Sequence, residues 1–432
     1  MMRTSTGPDE RVFYTASIGQ RPDYPALAGR HDVDTVIVGG GFAGLNTALS
    51  LAESGSSDVM LLEADGLGHG ASGRNGGFVF AGYSLGEKAL LQKLGSQHAK
   101  RLYQRSVDAV DCIRRRIAEY QIDCECIDQG VIWANWFKDP RILQRRQKLL
   151  AEHYDVHWAW LPQDELRQQL HTQRYSDGLF EPNAMHIQPL KYVLGLAAAA
   201  AGKGVAIHEN SRVTAIERDG ASWRVDSAQG SVRCRHVVLA CGGYLSGLVY
   251  KVDRAVMPIA TYAMATEPLG ERVHDVISTR AAVYDTRFAF DYYRVLADSR
   301  LLWGGRISIR DRQPQDVQRL LRRDLARVYP QLADVRISHA WSGLMSYARH
   351  QMPQVGTRGD GLYWAQAFGG HGLAPTTAAG KAVAQAVLGD ASGINDFAPF
   401  GLVESFRPFG LLAAQINYTW LQALDWGRSR SS

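Results

Sequence analysis

Cysteine is scarce in this chain. Five residues, Cys112, Cys124, Cys126, Cys234 and Cys241, make an odd number with no CxxC pair. That argues against a disulfide framework or a structural zinc site, and for a reducing compartment. Long apolar runs are also missing. No stretch of about 20 apolar residues occurs, so no membrane-spanning helix is expected. The first 30 residues carry charges and prolines throughout, so no secretory leader is expected there. Charge imbalance is small: 48 Lys and Arg stand against 43 Asp and Glu, a net +5 spread along the sequence. That is no nucleic-acid footprint, and it weakly favours an anionic ligand or surface. No internal repeat and no low-complexity tract appear.

Glycine is in excess, at 43 of 432 residues, about 10% against an average near 7%. The glycines cluster. The β-branched run Asp34-Thr-Val-Ile-Val38 reads as a buried parallel strand. Gly39, Gly41 and Gly44 then form GxGxxG around Phe42 and Ala43, and Leu45–Ser54 has a helical apolar face. Val59–Leu62 is a second short strand ending in Glu63-Ala64. Strand, glycine turn, helix, strand and acid make a dinucleotide-binding unit. Gly39 permits the tight turn, Gly41 lets backbone N–H groups approach a diphosphate, and Gly44 lets helix and strand close up. Glu63 suits ribose hydroxyls and argues against a 2′-phosphate.

The rest reads as interleaved segments. Residues 86–121 are one or two long amphipathic helices, 189–202 an alanine-rich helix, and 237–240 a buried strand before Cys241-Gly242-Gly243. Residues 255–310 alternate as antiparallel strands, 314–328 is a charged helix, and 362–365 is a strand before helix 374–388. The expected fold is α/β plus α+β: a Rossmann-type domain interleaved with a domain on a mainly antiparallel sheet. The boundaries are 31–90, 186–250 and 345–432 for the first and 91–185 and 251–344 for the second, after an arm at 1–30.

The second glycine cluster, Gly68-His-Gly-Ala-Ser-Gly-Arg-Asn-Gly-Gly77, lets a flat ring or a phosphate come close. With the fingerprint before it, it resembles the D-amino-acid-oxidase-like superfamily of FAD-dependent oxidoreductases. The likeness is nearest to the bacterial γ-glutamylputrescine oxidase and amine oxidase branch. Phe13–Ser17, Tyr120–Cys124, Asp291–Arg294, Arg300–Gly305, Trp341-Ser-Gly343, Met352-Pro353 and Gly369–Gly372 resemble that branch in order.

The resemblance implies non-covalent FAD held by Gly39, Gly41, Phe42, Ala43, Gly44, Glu63, Ala64, Gly70, Ala71, Ser72, Arg74, Asn75, Gly76 and Gly77. Val213, Gly242, Gly370, His371, Gly372 and Leu373 complete the expected cofactor set. It implies hydride transfer from a substrate α-carbon to flavin N5, giving an imine and, with oxygen, hydrogen peroxide. Arg74, Tyr293 and His371 are the expected catalytic residues, and Tyr292, Arg294, Trp341 and Arg349 the expected substrate contacts. No metal is expected.

Two departures keep the substrate open. Met345 stands where amino-acid-specific relatives place an arginine for the substrate carboxylate, and no lysine for oxygen activation matches in 285–305. Candidates are a γ-glutamylputrescine-like amine and a cyclic amino acid such as L-pipecolate. The acceptor is oxygen or, in a dehydrogenase, a quinone. An NAD(P)H-dependent flavin monooxygenase and a non-catalytic flavoprotein are the competing classes; the first usually carries a Gly-Asp that Gly369–Gly372 lacks. Leu412, Ile416, Trp420 and Leu424 share one side of a C-terminal helix before Arg428 and Arg430. They either pack on the body or touch a membrane surface. The expected location is cytoplasmic, with the inner membrane face as the alternative.

Overall fold

The computed structural model describes residues 9–431; residues 1–8 of the expected arm, Ser432 and the side chains of Arg430 and Ser431 lie outside the described residues. Two large sheets organise the chain. Strand Gly29–Val38 is longer than its apolar run. Its solvent-facing first half is held by parallel pairing with Gly230–Leu239, in register from Gly29 opposite Gly230 to Val38 opposite Leu239. The strand order is Gln354–Thr357, Leu362–Gln366, Gly230–Leu239, Gly29–Val38, Val59–Leu62, Ala206–His208. The last five run parallel. Hairpin Val213–Asp219/Ser222–Ser227 joins Gly230–Leu239 antiparallel.

Helices cover one face because parallel strands need both faces buried. The fingerprint helix Phe42–Glu53 packs against helix Leu373–Val387. A Cβ at Gly380 would come within 2.7 Å of Asn46 Cβ, so glycine permits the close approach.

The second sheet runs Ile337–Tyr347, Met257–Thr266, Leu301–Ser308, Tyr292–Val295, Ala282–Asp285, Val131–Ala134, Gly178–Glu181, Ala159–Leu161. Every neighbouring pair is antiparallel except Ala282–Asp285 with Val131–Ala134. Helix Pro314–Val328 buries Val317, Leu321, Leu325 and Val328 against it. The chain thus builds a Rossmann-type layer and a mainly antiparallel layer from alternating segments.

The structure decides between one and two helices over 86–121, and one feature departs from the sequence pattern. Helix Glu87–Glu119 is broken at Gly95, whose backbone is non-helical (φ 73°, ψ 168°). The terminal helix Phe409–Ser431, grouped by its place in sequence with the Rossmann segments, docks on the second sheet's side. Gln415 Oε1 accepts from Ser308 Oγ and Ile309 N–H (both 3.1 Å), Asp425 accepts from Phe288 N–H (2.7 Å), and Ser429 Oγ from Trp136 Nε1 (3.1 Å). Among the described residues no helix is long and apolar enough to cross a membrane, and no cluster suits a metal ion.

Candidate active site

The dinucleotide cradle follows from the fingerprint. Gly39 takes φ +114°, and a Cβ there would lie 2.7 Å from the Ala240 carbonyl oxygen. At Gly44 a Cβ would collide with the Gly39 carbonyl oxygen. The turn therefore lies flat under helix Phe42–Glu53, whose first backbone N–H groups face outward as an anion seat. Ser72 ties the second glycine cluster to that seat, its hydroxyl accepting from Phe42 N–H at 2.9 Å. Glu63 accepts from Gly40 N–H (2.6 Å) and Asp65 N–H (3.0 Å). Its carboxylate oxygens keep further lone pairs for hydroxyl donors. Burial pushes its carboxyl above the ordinary value against the pull of these N–H groups. Bare backbone, a helix N-terminus and an acid fit a diphosphate and a ribose, the two polar parts of FAD's adenosine half.

The second cluster is held from several sides. Asn75 spends its amide inside the loop, donating to Ala71 and Ser72 carbonyls (3.0 and 2.9 Å) while its Oδ1 accepts from Gly77 N–H (2.8 Å). Tyr14, fully buried, donates to the Asn75 carbonyl at 2.8 Å. Arg74 donates through Nε to the His69 carbonyl (2.8 Å) and through Nη1 to Asp9 (3.2 Å). Burial, then Arg74, hold His69 below the ordinary histidine value.

The far edge of the cradle is the turn Gly369–Gly372. Ser84 Oγ accepts from Gly370 N–H at 3.0 Å and lies 3.5 Å from His371 Nδ1. Leu373 then opens the second helix, which again offers N–H groups. Burial pushes His371 down to about 4, so it is neutral at pH 7. Its ring meets Phe80 edge-on at 4.9 Å, Phe80 stacks on Tyr284 at 5.6 Å, and Phe290 and Tyr292 complete the wall. Phe78, Phe80, Phe290 and Tyr292 are only partly buried. These rings form an apolar wall beside the glycine turn.

The expected site residues divide. Gly39–Gly44 follows strand Gly29–Val38, Glu63 and Ala64 follow Val59–Leu62, Gly242 lies just past Gly230–Leu239 and Val213 opens Val213–Asp219; Gly70–Gly77 joins them through Ser72 and reaches Tyr292 at Gly76. Tyr292 and His371 meet at the aromatic wall through Phe78 and Phe80. Four residues do not stand as expected. Tyr293 points through the opposite face of its strand, stacked on Trp303 at 4.5 Å and fully buried, because successive strand side chains alternate. Arg294 binds no open cavity: it donates to the Gly76 carbonyl (2.7 Å) and the Ile187 carbonyl (2.8 Å), and it lies 3.3 Å from His186 Nδ1. Trp341 is buried and donates to the Arg74 carbonyl at 2.9 Å. Arg349 is exposed, over the Phe406 ring at 5.2 Å. Arg294 and Trp341 thus brace the glycine cluster.

Sequence reasoning missed Ser84, Phe80, Tyr284, Arg146 and Glu181. Phe78-Val-Phe80 directly after Gly77 carried a usable signal, two aromatics on one strand face. Arg146 carried none, because it reads as one of several basic residues on helix Arg141–Tyr154.

Comparison with known proteins bears on the family and the fold. Residues 34–386 match the DAO family of FAD-dependent oxidoreductases. The chain is 33% identical over 431 residues to a probable oxidoreductase, OrdL, of Haemophilus influenzae, covering 96% of this chain and 97% of that protein. It is 33% identical over 388 residues to the γ-glutamylputrescine oxidoreductase of Escherichia coli, covering 89% and 91%. Among solved structures, glycine oxidase from Geobacillus kaustophilus is similar in fold, with TM-score 0.72 at 21% identity, covering 86% of this chain and 99% of that one. The match runs through the fingerprint, both sheets and the turn at Gly369–Gly372, and so the chain belongs to the DAO family and is an FAD-dependent oxidoreductase.

Proposed function

We propose that the protein oxidises the C–N bond of an amine, with a γ-glutamylputrescine-like amine as the substrate class. The aromatic wall of Phe78, Phe80, Phe290 and Tyr292 beside the Gly370–His371 turn carries this reading. An apolar wall disfavours the ammonium form, and neutral His371 adds no charge. The substrate nitrogen is therefore bound uncharged, with its lone pair free to drive loss of hydride from the adjacent carbon. FAD supplies, when bound, the two-electron acceptance that the reaction needs. The product is an imine, which water hydrolyses. Arg74 acts as a positioning residue, fixing the glycine cluster through His69 and Asp9. Neither Arg294 nor Arg349 is placed to clamp an α-carboxylate. This favours the long amine over the cyclic amino acid.

The test is anaerobic mixing of the flavin-loaded enzyme with γ-glutamylputrescine, L-pipecolate, D-pipecolate, proline and glycine while flavin absorbance is followed. Fast bleaching by γ-glutamylputrescine is the expected result. Bleaching by NADH or NADPH and by no amine would overturn the reading.

For the electron acceptor, the terminal helix favours a membrane-borne quinone over oxygen. Phe409, Leu412, Ile416 and Trp420, spaced to share one face, are 76%, 53%, 71% and 63% exposed. No charged residue occurs from 409 to 424, and exposed Arg349 sits beside the exposed ring of Phe406. An apolar face without acids, rimmed by arginine, suits an anionic lipid surface at the inner face of the membrane. The opposite side of the helix packs on the second sheet's side, with Tyr418 5.5 Å from Phe288, two residues before the wall residue Phe290. The enzyme is expected to sediment with phosphatidylglycerol vesicles and to be reoxidised faster by a quinone analogue than by oxygen. Replacing Ile416 and Trp420 together by Asp removes two exposed apolar groups worth about 1.5–3 kcal/mol each, so vesicle affinity falls about 100-fold or more. Dimers in gel filtration that the same double variant splits, with no vesicle binding, would assign this face to a second copy instead.

A further inference from the structure

Behind the aromatic wall lies a buried charged cluster that the amine reading leaves unused. Arg146 enters it from helix Arg141–Tyr154, its guanidinium held between the faces of Trp133 (4.4 Å) and Trp158 (4.8 Å). Glu87 accepts from Arg146 Nη2 at 2.8 Å. Burial opposes ionisation of Glu87, but Arg146 outweighs it and holds the carboxyl below its ordinary value. Glu181, on strand Gly178–Glu181, is 4% exposed. Two polar atoms of the cluster have no hydrogen-bond partner: Arg146 Nε and Glu181 Oε2. Buried polar atoms left unsatisfied are costly. One is a donor on a cation, the other an acceptor on an acid. Burial pushes the Glu181 carboxyl up to about 8, against the pull of Arg146; a cation arriving beside it would ionise it.

The cluster connects to the reacting end. Tyr284, beside Arg146 and Glu181, stacks on Phe80, which touches His371. These ring contacts link the charged cluster to the Gly370–His371 turn, and Glu87 and Arg146 also act on the His371 charge directly. A long amine that reacts beside the turn has its far end free to reach this cluster.

We infer that Arg146 and Glu181 form a subsite for the far end of the substrate, and that this end is an α-amino-acid head: its carboxylate meets Arg146 and its ammonium meets Glu181. The inference rests on the amine reading above and adds the residues that select the tail. A single head group satisfies both unpaired atoms with a charge of the right sign for each; a plain alkyl tail satisfies neither, and a neutral amide offers a donor and an acceptor but no charge.

The test compares two amines that differ at that end only, γ-glutamylputrescine and N-acetylputrescine, in steady-state turnover by the flavin-loaded enzyme. Wild type is expected to prefer the headed amine by about 100-fold or more in kcat/KM, since a site built to pair a polar group rejects an analogue lacking it. Most of the preference is expected in KM, because the head lies away from the reacting carbon. Glu181→Gln, nearly the same shape, should cut the ratio to a few-fold. Arg146→Lys, which keeps the charge and loses the planar fork, should lower it less than Arg146→Gln. Equal turnover of the two amines by wild type would overturn the subsite and leave the amine reading standing. An undiminished ratio in well-folded, flavin-loaded Glu181→Gln and Arg146→Gln would do the same. Turnover of neither amine would overturn both.

Discussion

Gly44→Ala is expected to yield a folded protein that holds no flavin. The added Cβ would collide with the Gly39 carbonyl oxygen, and the next atoms it meets are the Gly39 carbonyl carbon (3.2 Å) and Ile37 Cγ2 (3.3 Å). The first two are backbone, so no side-chain rotation relieves the clash. Helix Phe42–Glu53 must instead move away from strand Gly29–Val38, and the turn that faces the diphosphate moves with it. A shift of about 1 Å in a positioned site costs about 100-fold, so flavin is lost during purification. The second sheet, built from residues 131–181 and 257–347, lies outside the displaced contact and stays folded. The measurement is the ratio of flavin absorbance to protein absorbance, with far-ultraviolet circular dichroism as the control. A yellow, fully loaded Gly44→Ala protein would show that the helix tolerates the shift.

Arg294→Leu is the second large effect, and it acts on the other glycine cluster. Arg294 is 1% exposed and donates to the Gly76 and Ile187 carbonyls. Leucine fills part of the space and leaves both acceptors without a donor. At about 1–3 kcal/mol for each stranded group, the expected loss of stability is about 3–5 kcal/mol, read as a lower Tm. Flavin binding weakens at the same time, because Gly76 and Gly77 lose their brace. Arg294→Lys keeps three donors but on a single nitrogen, which cannot span the two carbonyls as the planar fork does, so it recovers part of the Tm. A catalytic role alone would give the opposite pattern, with unchanged Tm, full flavin and slow turnover.

Most of the cradle was legible because its chemistry is backbone chemistry. GxGxxG, the acid at Glu63 and the glycines of 68–77 act through the absence of side chains, and that absence is visible in a sequence. Strand and helix positions were legible for the same kind of reason. Residues 189–202 and 314–328 form helices over those ranges, since a one-sided apolar pattern has one way to be buried. The substrate side was less legible. Tyr292 and Tyr293 are adjacent, and strand alternation sends one to the aromatic wall and its neighbour to the opposite core. Which goes where depends on the sheet's partners, which local sequence does not specify. Arg294 fits a carboxylate clamp on paper, but carbonyls from residues 76 and 187 reach it first. Arg146 and Glu181 sit 35 residues apart in unrelated elements, and only the tertiary fold brings them together.

The strand pairings also set the order in which the molecule can be made. Strand Gly29–Val38 has one neighbour close in sequence, Val59–Leu62, while its other neighbour is Gly230–Leu239. The next strand out, Leu362–Gln366, arrives later still. During synthesis the first half of the cradle therefore waits, one edge bare, for a partner about 200 residues downstream. Such distant pairings make folding slow and leave strand edges exposed meanwhile. With the helix that opens at Leu373 proposed as part of the flavin seat, a nascent chain is expected to take up its cofactor only after that helix is made. Yield in a host cell should accordingly respond to chaperone supply and slower synthesis, and flavin added after release can act only on a chain already closed.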